Sequence, residues 1–108
     1  MTRKKGENMS NQLAFNDTKE KQFVKLEQFV PVVERVHGEH HPEFHEVRQL
    51  FDTINMKTKA AGSGRPELNE EFAKLREITG NYQVPGDVCE AYEAVYNMLA
   101  EVDKAYQD

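Results

Sequence analysis

The apolar residues of this 108-residue chain recur at intervals of three and four, and this spacing constrains the fold more than any other feature. The clearest stripe is the last one, in which Tyr92, Val95, Leu99, Val102 and Tyr106 fall on one face of a helix. No segment shows the alternation of apolar and polar residues that is typical of a half-buried strand. The pattern therefore predicts an all-α fold, and specifically a four-helix bundle.

Residues 1–16 differ from the rest of the chain because they are polar and have no helical period. We expect them to form a disordered tail. Residues 17–108 are expected to form a single helical domain, since the chain is too short for two ordinary domains. The first helix is predicted to begin near Asp17, because Glu20 follows at the spacing of a capping box. Pro31 predicts a kink or a break within that helix.

Turn-forming residues separate the other three predicted helices. Pro42 is expected to be the first residue of the second helix, with His41 as its N-cap. The third helix is expected to open at Pro66, after a glycine-rich linker, and the fourth at Asp87, after a turn-rich loop. The positions predicted for the apolar stripes of the first three helices are Phe23, Leu26, Val30, Val33, His37, Phe44, Val47, Phe51, Ile54, Leu68, Phe72, Leu75 and Ile78.

The composition limits the classes of partner. The chain has 14 basic and 19 acidic residues and a net charge of −5, which disfavours a general nucleic-acid-binding surface. No stretch approaches the roughly 20 apolar residues of a membrane span, and no apolar signal segment follows the basic N-terminus. The single cysteine, Cys89, excludes an internal disulfide and suits a reducing compartment, so a cytoplasmic location is expected.

All four histidines lie between His37 and His45, at the predicted corner between the first two helices. His41 and His45 are four residues apart, which places both on one face of the second helix, while His37 ends the first. Imidazoles are ligands of zinc and iron, so one hypothesis is a metal site made of His37, His41 and His45. The alternative is a capped turn whose imidazoles are exposed and partly hydrogen-bonded.

Cys89 is predicted to lie in the first turn of the fourth helix. Because the N-terminus of a helix stabilises a thiolate, a reactive thiol at Cys89 is one hypothesis. No histidine is close in sequence to act as its base, and a small side chain packed at a helix start is the alternative. The sequence also has no glycine-rich phosphate loop, and the chain is not expected to be an enzyme.

Two segments resemble the motifs of a known family. Residues 33–44 read VERVHGEHHPEF, with Val47, Leu50 and Phe51 following, and residues 72–89 read FAKLREITGNYQVPGDVC. In the same order, they resemble segments of the repair-of-iron-centres family, hemerythrin-like di-iron proteins linked to iron–sulfur cluster repair after nitrosative or oxidative damage. The resemblance implies a hemerythrin-like four-helix bundle and a role in the stress response.

The positions that would carry the family's iron ligands differ in this chain. Residues 18–23, the region of the family's first ligand, contain no histidine. The ligand pair expected after Ile54 is absent, and the position of the family's third-helix histidine falls near Arg65. The terminal ligand motif would follow Asp108. The resemblance therefore implies a shortened member without metal ligands or cofactor, a non-catalytic binding or accessory module. Its partner would be a full-length repair protein or a second copy of the chain, so that it is a monomer or a homodimer. The alternative is an iron- or zinc-binding protein that uses the corner His37–His45.

Overall fold

The computed structural model describes the backbone of residues 2–108 and the side chains of residues 14–108. These residues form four helices and no strand. The helices are α1 (Thr2–His37), α2 (Glu43–Ala61), α3 (Asn69–Thr79) and α4 (Glu90–Gln107). The predicted all-α fold with four helices is therefore confirmed. None of the described helices combines the length and the apolar composition needed to cross a membrane.

The core lies where the apolar stripes of the four helices meet. The predicted stripe positions are buried, from Phe23 in α1 to Tyr106 in α4, except His37 and Ile78, which are only partly buried. Phe15 and Tyr96 add two more rings to the core. Aromatic contacts join the helices across this core, and Phe23 meets Phe51 of α2 edge-on with ring centroids 5.6 Å apart. The helical spacing of apolar residues thus predicts which side chains the bundle buries.

The prediction that the first helix begins near Asp17 is wrong, since α1 begins at Thr2 and includes Phe15. Phe15 is fully buried, and its ring meets that of Tyr106 edge-on at 5.5 Å. An isolated phenylalanine in a polar stretch gives no periodic signal, but burial of its ring stabilises the helix through this segment. For residues 1–13 the predicted tail lies outside the described side chains.

The helix start predicted at Pro42 agrees with the structure to within one residue, whereas the one predicted at Pro66 does not. The helix α1 continues through Pro31. Of the predicted kink or break, the break is therefore wrong and the kink stays a prediction. Pro42 has a helical conformation, with φ −62°, and is the N-cap residue of α2. The prediction that His41 caps this helix is wrong, because the His41 imidazole is bonded to Glu43 and Asp87 instead. The prediction that the third helix opens at Pro66 is wrong, since α3 begins three residues later at Asn69. The carbonyl oxygen of Pro66 instead accepts a hydrogen bond from the Tyr106 hydroxyl at 2.8 Å.

The start of α4 also differs from the prediction. This helix begins at Glu90 with Cys89 as its N-cap residue, so the prediction that Asp87 caps it is wrong. The physical reason is a competing partner, because the Asp87 carboxylate lies 3.0 Å from the imidazole of His41. Asp87 therefore joins the loop before α4 to the corner between α1 and α2.

The helix α1 lies between α2 and α4 and runs antiparallel to both. The side-chain contacts that fix these directions are Lys19–Gly62 and Glu34–Arg48 toward α2, and Gln22–Glu101 and His37–Cys89 toward α4. A groove lies on each side of α1, with a volume of about 400 Å³ beside α2 and about 450 Å³ beside α4.

Candidate functional site

The corner between α1 and α2 is a tight turn built around Gly38. The backbone N–H of Gly38 donates to the carbonyl oxygen of Glu34 at 2.8 Å. A Cβ atom at Gly38 would lie 2.5 Å from that oxygen and 2.8 Å from the His45 ring, so only glycine fits there without movement of its neighbours. Glycine at position 38 therefore lets the end of α1 and the start of α2 approach closely.

His45 belongs to a charged group that joins α1 to α2. Its Nδ1 lies 2.7 Å from one oxygen of Glu34, and Arg48 donates to the other oxygen at 2.7 Å. The hydrogen bond from His45, followed by that from Arg48, lowers the pKa of the Glu34 carboxyl below its usual range. Glu34 is therefore the anionic centre of this group, and His45 is one of its two partners.

His41 joins the same corner to the loop before α4. Its Nδ1 lies 3.1 Å from Glu43 and its Nε2 lies 3.0 Å from Asp87, while the imidazole packs edge-on against the Tyr92 ring. Burial opposes the charged imidazole, but the hydrogen bonds to Glu43 and Asp87 outweigh it and raise the pKa of His41. A protonated ring donates to both carboxylates, whereas a neutral ring has a proton for only one of them.

This arrangement predicts a pH dependence of stability. Because the folded pKa of His41 is raised, its contribution to stability is complete below the ordinary pKa of about 6.5 and is lost as the pH rises through the folded value. We expect the melting temperature of the wild type to fall toward that of His41→Gln as the pH rises above about 6.5. Thermal unfolding of both proteins in matched buffers measures this, and a constant difference across the range would contradict it.

The third histidine of the predicted set, His37, contacts the cysteine. Its Nε2 lies 3.1 Å from Sγ of Cys89, although 52 positions separate the two residues in the sequence. Cys89 is exposed at the N-cap of α4, and an imidazole beside a thiol at a helix start is the usual arrangement of an activated nucleophile. The reactive thiol stays a prediction, and His37 is the imidazole that the structure places beside it.

The structure does not bring His37, His41 and His45 together as a ligand set. Each imidazole contacts a different partner, and among residues 14–108 no group of three or more histidine, cysteine or acidic side chains is placed to hold a metal ion. The alternative interpretation of the corner, a turn with partly hydrogen-bonded imidazoles, describes these contacts. Binding of iron or zinc at the corner stays a prediction.

The interior between the helices also does not fit a paired-iron centre. Its buried polar side chains, over the part of the chain that the structure describes, are Thr58, Glu71, Thr79 and Asp103. Arg76 donates to both oxygens of Asp103 at 2.8 Å, and Lys57 donates to Glu71 at 2.8 Å. Because both acids are held by cations of neighbouring helices and no histidine lies among them, these side chains do not form a di-iron ligand set.

A groove with a volume of about 450 Å³ lies between α1 and α4. On the α1 side it is lined by Gln22, Lys25 and Phe29, which follow one another at helical spacing. Val32 and Val36 continue this row, and they are 41% and 59% exposed. Phe29, Val32 and Val36 thus form an apolar row along α1 toward the corner, and its two valines are exposed to solvent.

The α4 side of this groove has an acidic outer edge. Ala94, Asn97, Met98 and Glu101 line it, and Glu90 continues the row of Ala94, Asn97 and Glu101 toward the corner. Met98 is nearly buried and forms part of the floor, whereas Glu90 and Glu101 are exposed. The groove therefore has an apolar floor and a rim that carries negative charge.

Comparison of the chain with protein-family models, with curated proteins and with solved structures finds no match to any of the three. The resemblance to the repair-of-iron-centres family therefore rests on the two sequence segments alone and stays a prediction.

Proposed function

We propose that the protein is a non-catalytic binding module that holds an amphipathic helix of a partner protein in the groove between α1 and α4. The observation that supports this is the row Phe29, Val32 and Val36, which leaves two valines exposed beside the groove. A helix lying in a groove is anchored by apolar residues three and four positions apart, and the row has this spacing. Exposed valines in such a row would be buried by the partner.

The charge of the rim specifies the partner further. Glu90 and Glu101 follow the α4 edge and Lys25 is the cation of the α1 edge, on a chain whose net charge is −5. A partner helix with lysines or arginines beside its apolar row would complement this rim and associate faster at low salt. The resemblance of residues 33–44 and 72–89 to the repair-of-iron-centres family makes a full-length repair protein the first natural candidate.

The groove can be tested with a probe whose chemistry matches this partner. We expect a fluorescein-labelled, 18-residue leucine–lysine helix to bind the wild type and to bind Val32→Glu/Val36→Glu much more weakly. Loss of two buried valines should cost about 1.5 kcal/mol each, or roughly tenfold in Kd per valine. Fluorescence anisotropy at two salt concentrations measures both affinities.

A matched control separates docking from simple charge attraction. Val24→Glu/Met56→Glu introduces the same two negative charges at exposed apolar positions outside this groove, 60% and 66% exposed. If attraction of the basic peptide were the whole effect, both variants would bind more tightly than the wild type. Equal binding by the two variants would refute the groove. Sedimentation showing a wild-type dimer that dissociates in Val32→Glu/Val36→Glu would show that a second copy of the chain, not another protein, covers it.

A further inference from the structure

Two imidazoles of the corner hold the segment that precedes α4. The Asp87 carboxylate lies 3.0 Å from Nε2 of His41, and Sγ of Cys89 lies 3.1 Å from Nε2 of His37. Both imidazole rings pack edge-on against the Tyr92 ring, each with a centroid distance of 5.5 Å. Residues 83–89 are therefore joined to the end of α1 and the start of α2 by a pair of contacts that lie against the same aromatic ring.

The first turn of α4 depends on these contacts. Cys89 is the N-cap residue of this helix, but its side chain makes no capping hydrogen bond. Such a bond normally satisfies one of the free N–H groups at the start of a helix. Val84 and Val88 are only partly buried against the core. Because the helix start has no side-chain cap and the apolar burial is partial, the position of the segment depends on the two imidazole contacts.

His41 lies between two acceptors, which makes its contacts depend on a proton. Its Nδ1 is 3.1 Å from Glu43 and its Nε2 is 3.0 Å from Asp87. An ionised carboxylate only accepts hydrogen bonds, and a neutral imidazole has a single N–H. A neutral ring would therefore turn a nitrogen lone pair toward one of the two carboxylates, and that contact would be repulsive. Only the protonated ring satisfies both acids in this geometry.

Asp87 is the acid that a neutral His41 would release. Its side chain is 71% exposed, so water replaces the lost hydrogen bond at little cost. Glu43 is the first residue of α2 and lies two positions from His41 in the sequence, so the backbone keeps its carboxylate near the ring. The hydroxyl of Tyr92 also donates to this carboxylate, at 3.5 Å. Loss of the proton therefore leaves the N–H of His41 with Glu43 and frees Asp87.

The proton that decides between these contacts belongs to His41. Its other titratable neighbours are Tyr92, His37 and, exposed in the same turn, Glu39 and His40. Burial, followed by the hydrogen bond with Tyr96, raises the pKa of Tyr92, so its hydroxyl stays neutral. Burial disfavours the charged form of His41, but its hydrogen bonds to the two acids outweigh this and raise its pKa. The proton is therefore lost above the ordinary histidine value of about 6.5.

We propose that residues 83–89 are a pH-sensitive latch. A proton on His41 holds Asp87 at the corner and keeps Cys89 beside His37. When the proton is lost, Asp87 moves into solvent, the first turn of α4 loosens and Cys89 separates from His37. The protonation of one imidazole thereby controls whether the single cysteine of the chain has an imidazole beside it. The latch acts whether or not a partner helix lies in the groove beside α4.

Hydrogen exchange of the full chain, followed by NMR, tests the latch at one reporter amide. The Glu93 N–H donates to the carbonyl oxygen of Cys89 at 3.2 Å in the first turn of α4. We expect its protection factor, corrected for the intrinsic rate at each pH, to fall about tenfold as the pH rises from about 6, the value of one hydrogen bond to a charged group. The Phe72 amide, which donates to the Leu68 carbonyl at 3.0 Å in the corresponding turn of α3, should keep its protection.

Two variants separate the latch from a general effect of pH. Asp87→Asn should keep the Glu93 protection factor constant over the same pH series, because an amide accepts from a protonated ring and donates to a neutral one. His40→Gln is the matched control, since it removes the exposed neighbouring imidazole, and it should show the same fall as the wild type.

Three results would overturn the latch. They are the wild-type fall in Asp87→Asn, loss of the fall in His40→Gln, and an equal fall at the Phe72 amide. A fourth is a fall at the Phe44 amide in place of Glu93. The Phe44 N–H donates to the His41 carbonyl at 2.9 Å at the start of α2, so that pattern would make Glu43 the acid released.

Discussion

Replacement of Tyr106 by alanine is expected to lower the free energy of unfolding by about 3 to 5 kcal/mol, the range for removal of a large buried ring. The Tyr106 ring is 1% exposed and contacts Phe15 of α1 and Phe72 of α3. The guanidinium of Arg65 lies 4.0 Å from the ring centroid, which adds a cation–π contact. Because this ring joins α4 to α1, α3 and the linker before α3, urea unfolding of Tyr106→Ala should show one large, cooperative loss of stability.

Tyr106→Phe separates the hydroxyl from the ring. The hydroxyl accepts from the backbone N–H of Leu68 at 2.9 Å and donates to the carbonyl oxygen of Pro66 at 2.8 Å. Its removal leaves a buried backbone donor unpaired, so we expect a loss of about 1 to 3 kcal/mol and faster hydrogen exchange at the Leu68 amide. A Tyr106→Ala protein no less stable than Tyr106→Phe would show that the ring contributes nothing beyond its hydroxyl, contrary to the packing.

The positions of the core could be predicted from sequence because a helix buries one face of itself. Val95, Leu99 and Val102 recur at the helical period, and all three are buried in α4. The start of α2 could be predicted to within one residue for a different reason, because proline favours the first turn of a helix. The helical spacing of apolar residues and the preference of proline for a helix start both depend on a few neighbouring residues. Both can therefore be read directly from the sequence.

The contacts at the corner could not be predicted in this way, because they join residues that are far apart in the sequence. Asp87 has the sequence spacing of a helix cap, but its carboxylate contacts His41 instead. Cys89 lies beside His37, and no helical spacing in the sequence relates these two residues. Phe15 gave no signal either, since its burial depends on Tyr106 at the far end of the chain. The packing of the helices decides which polar side chains contact each other, and no local sequence pattern encodes these pairs.

One buried charge did leave a signal in the sequence. Asp103 follows Val102 and lies between Leu99 and Tyr106 on the apolar face of α4, where an acid is expected only if a cation reaches it. In the structure Asp103 is 4% exposed, and Arg76 of α3 is that cation. An acid at a core position of a helical stripe is therefore a sequence signal for a buried ion pair, although its partner has to come from the structure.

Asp103→Ala is accordingly expected to be among the most destabilising single substitutions. The carboxylate accepts two hydrogen bonds from Arg76 at 2.8 Å, one from the Tyr82 hydroxyl at 2.8 Å and one from Gln107 at 3.1 Å. Burial, together with the hydrogen bond to Asp103, raises the pKa of Tyr82, so its hydroxyl stays a donor. Removal of one partner of a buried ion pair costs about 3 to 5 kcal/mol, because the other charge is left uncompensated. Chemical denaturation measures this loss.

The partial exposure of Arg76, at 36% of its side chain, makes the lower end of that range the expected value. Asp17→Ala is the matched control, since Asp17 pairs with Lys21 at 3.2 Å on an exposed helix face and should cost less than about 1 kcal/mol. If Asp103→Ala cost as little as this control, the pair would act as an ordinary surface ion pair. The double variant Arg76→Leu/Asp103→Leu should lose less stability than the sum of its single variants, because it leaves no buried charge without a partner.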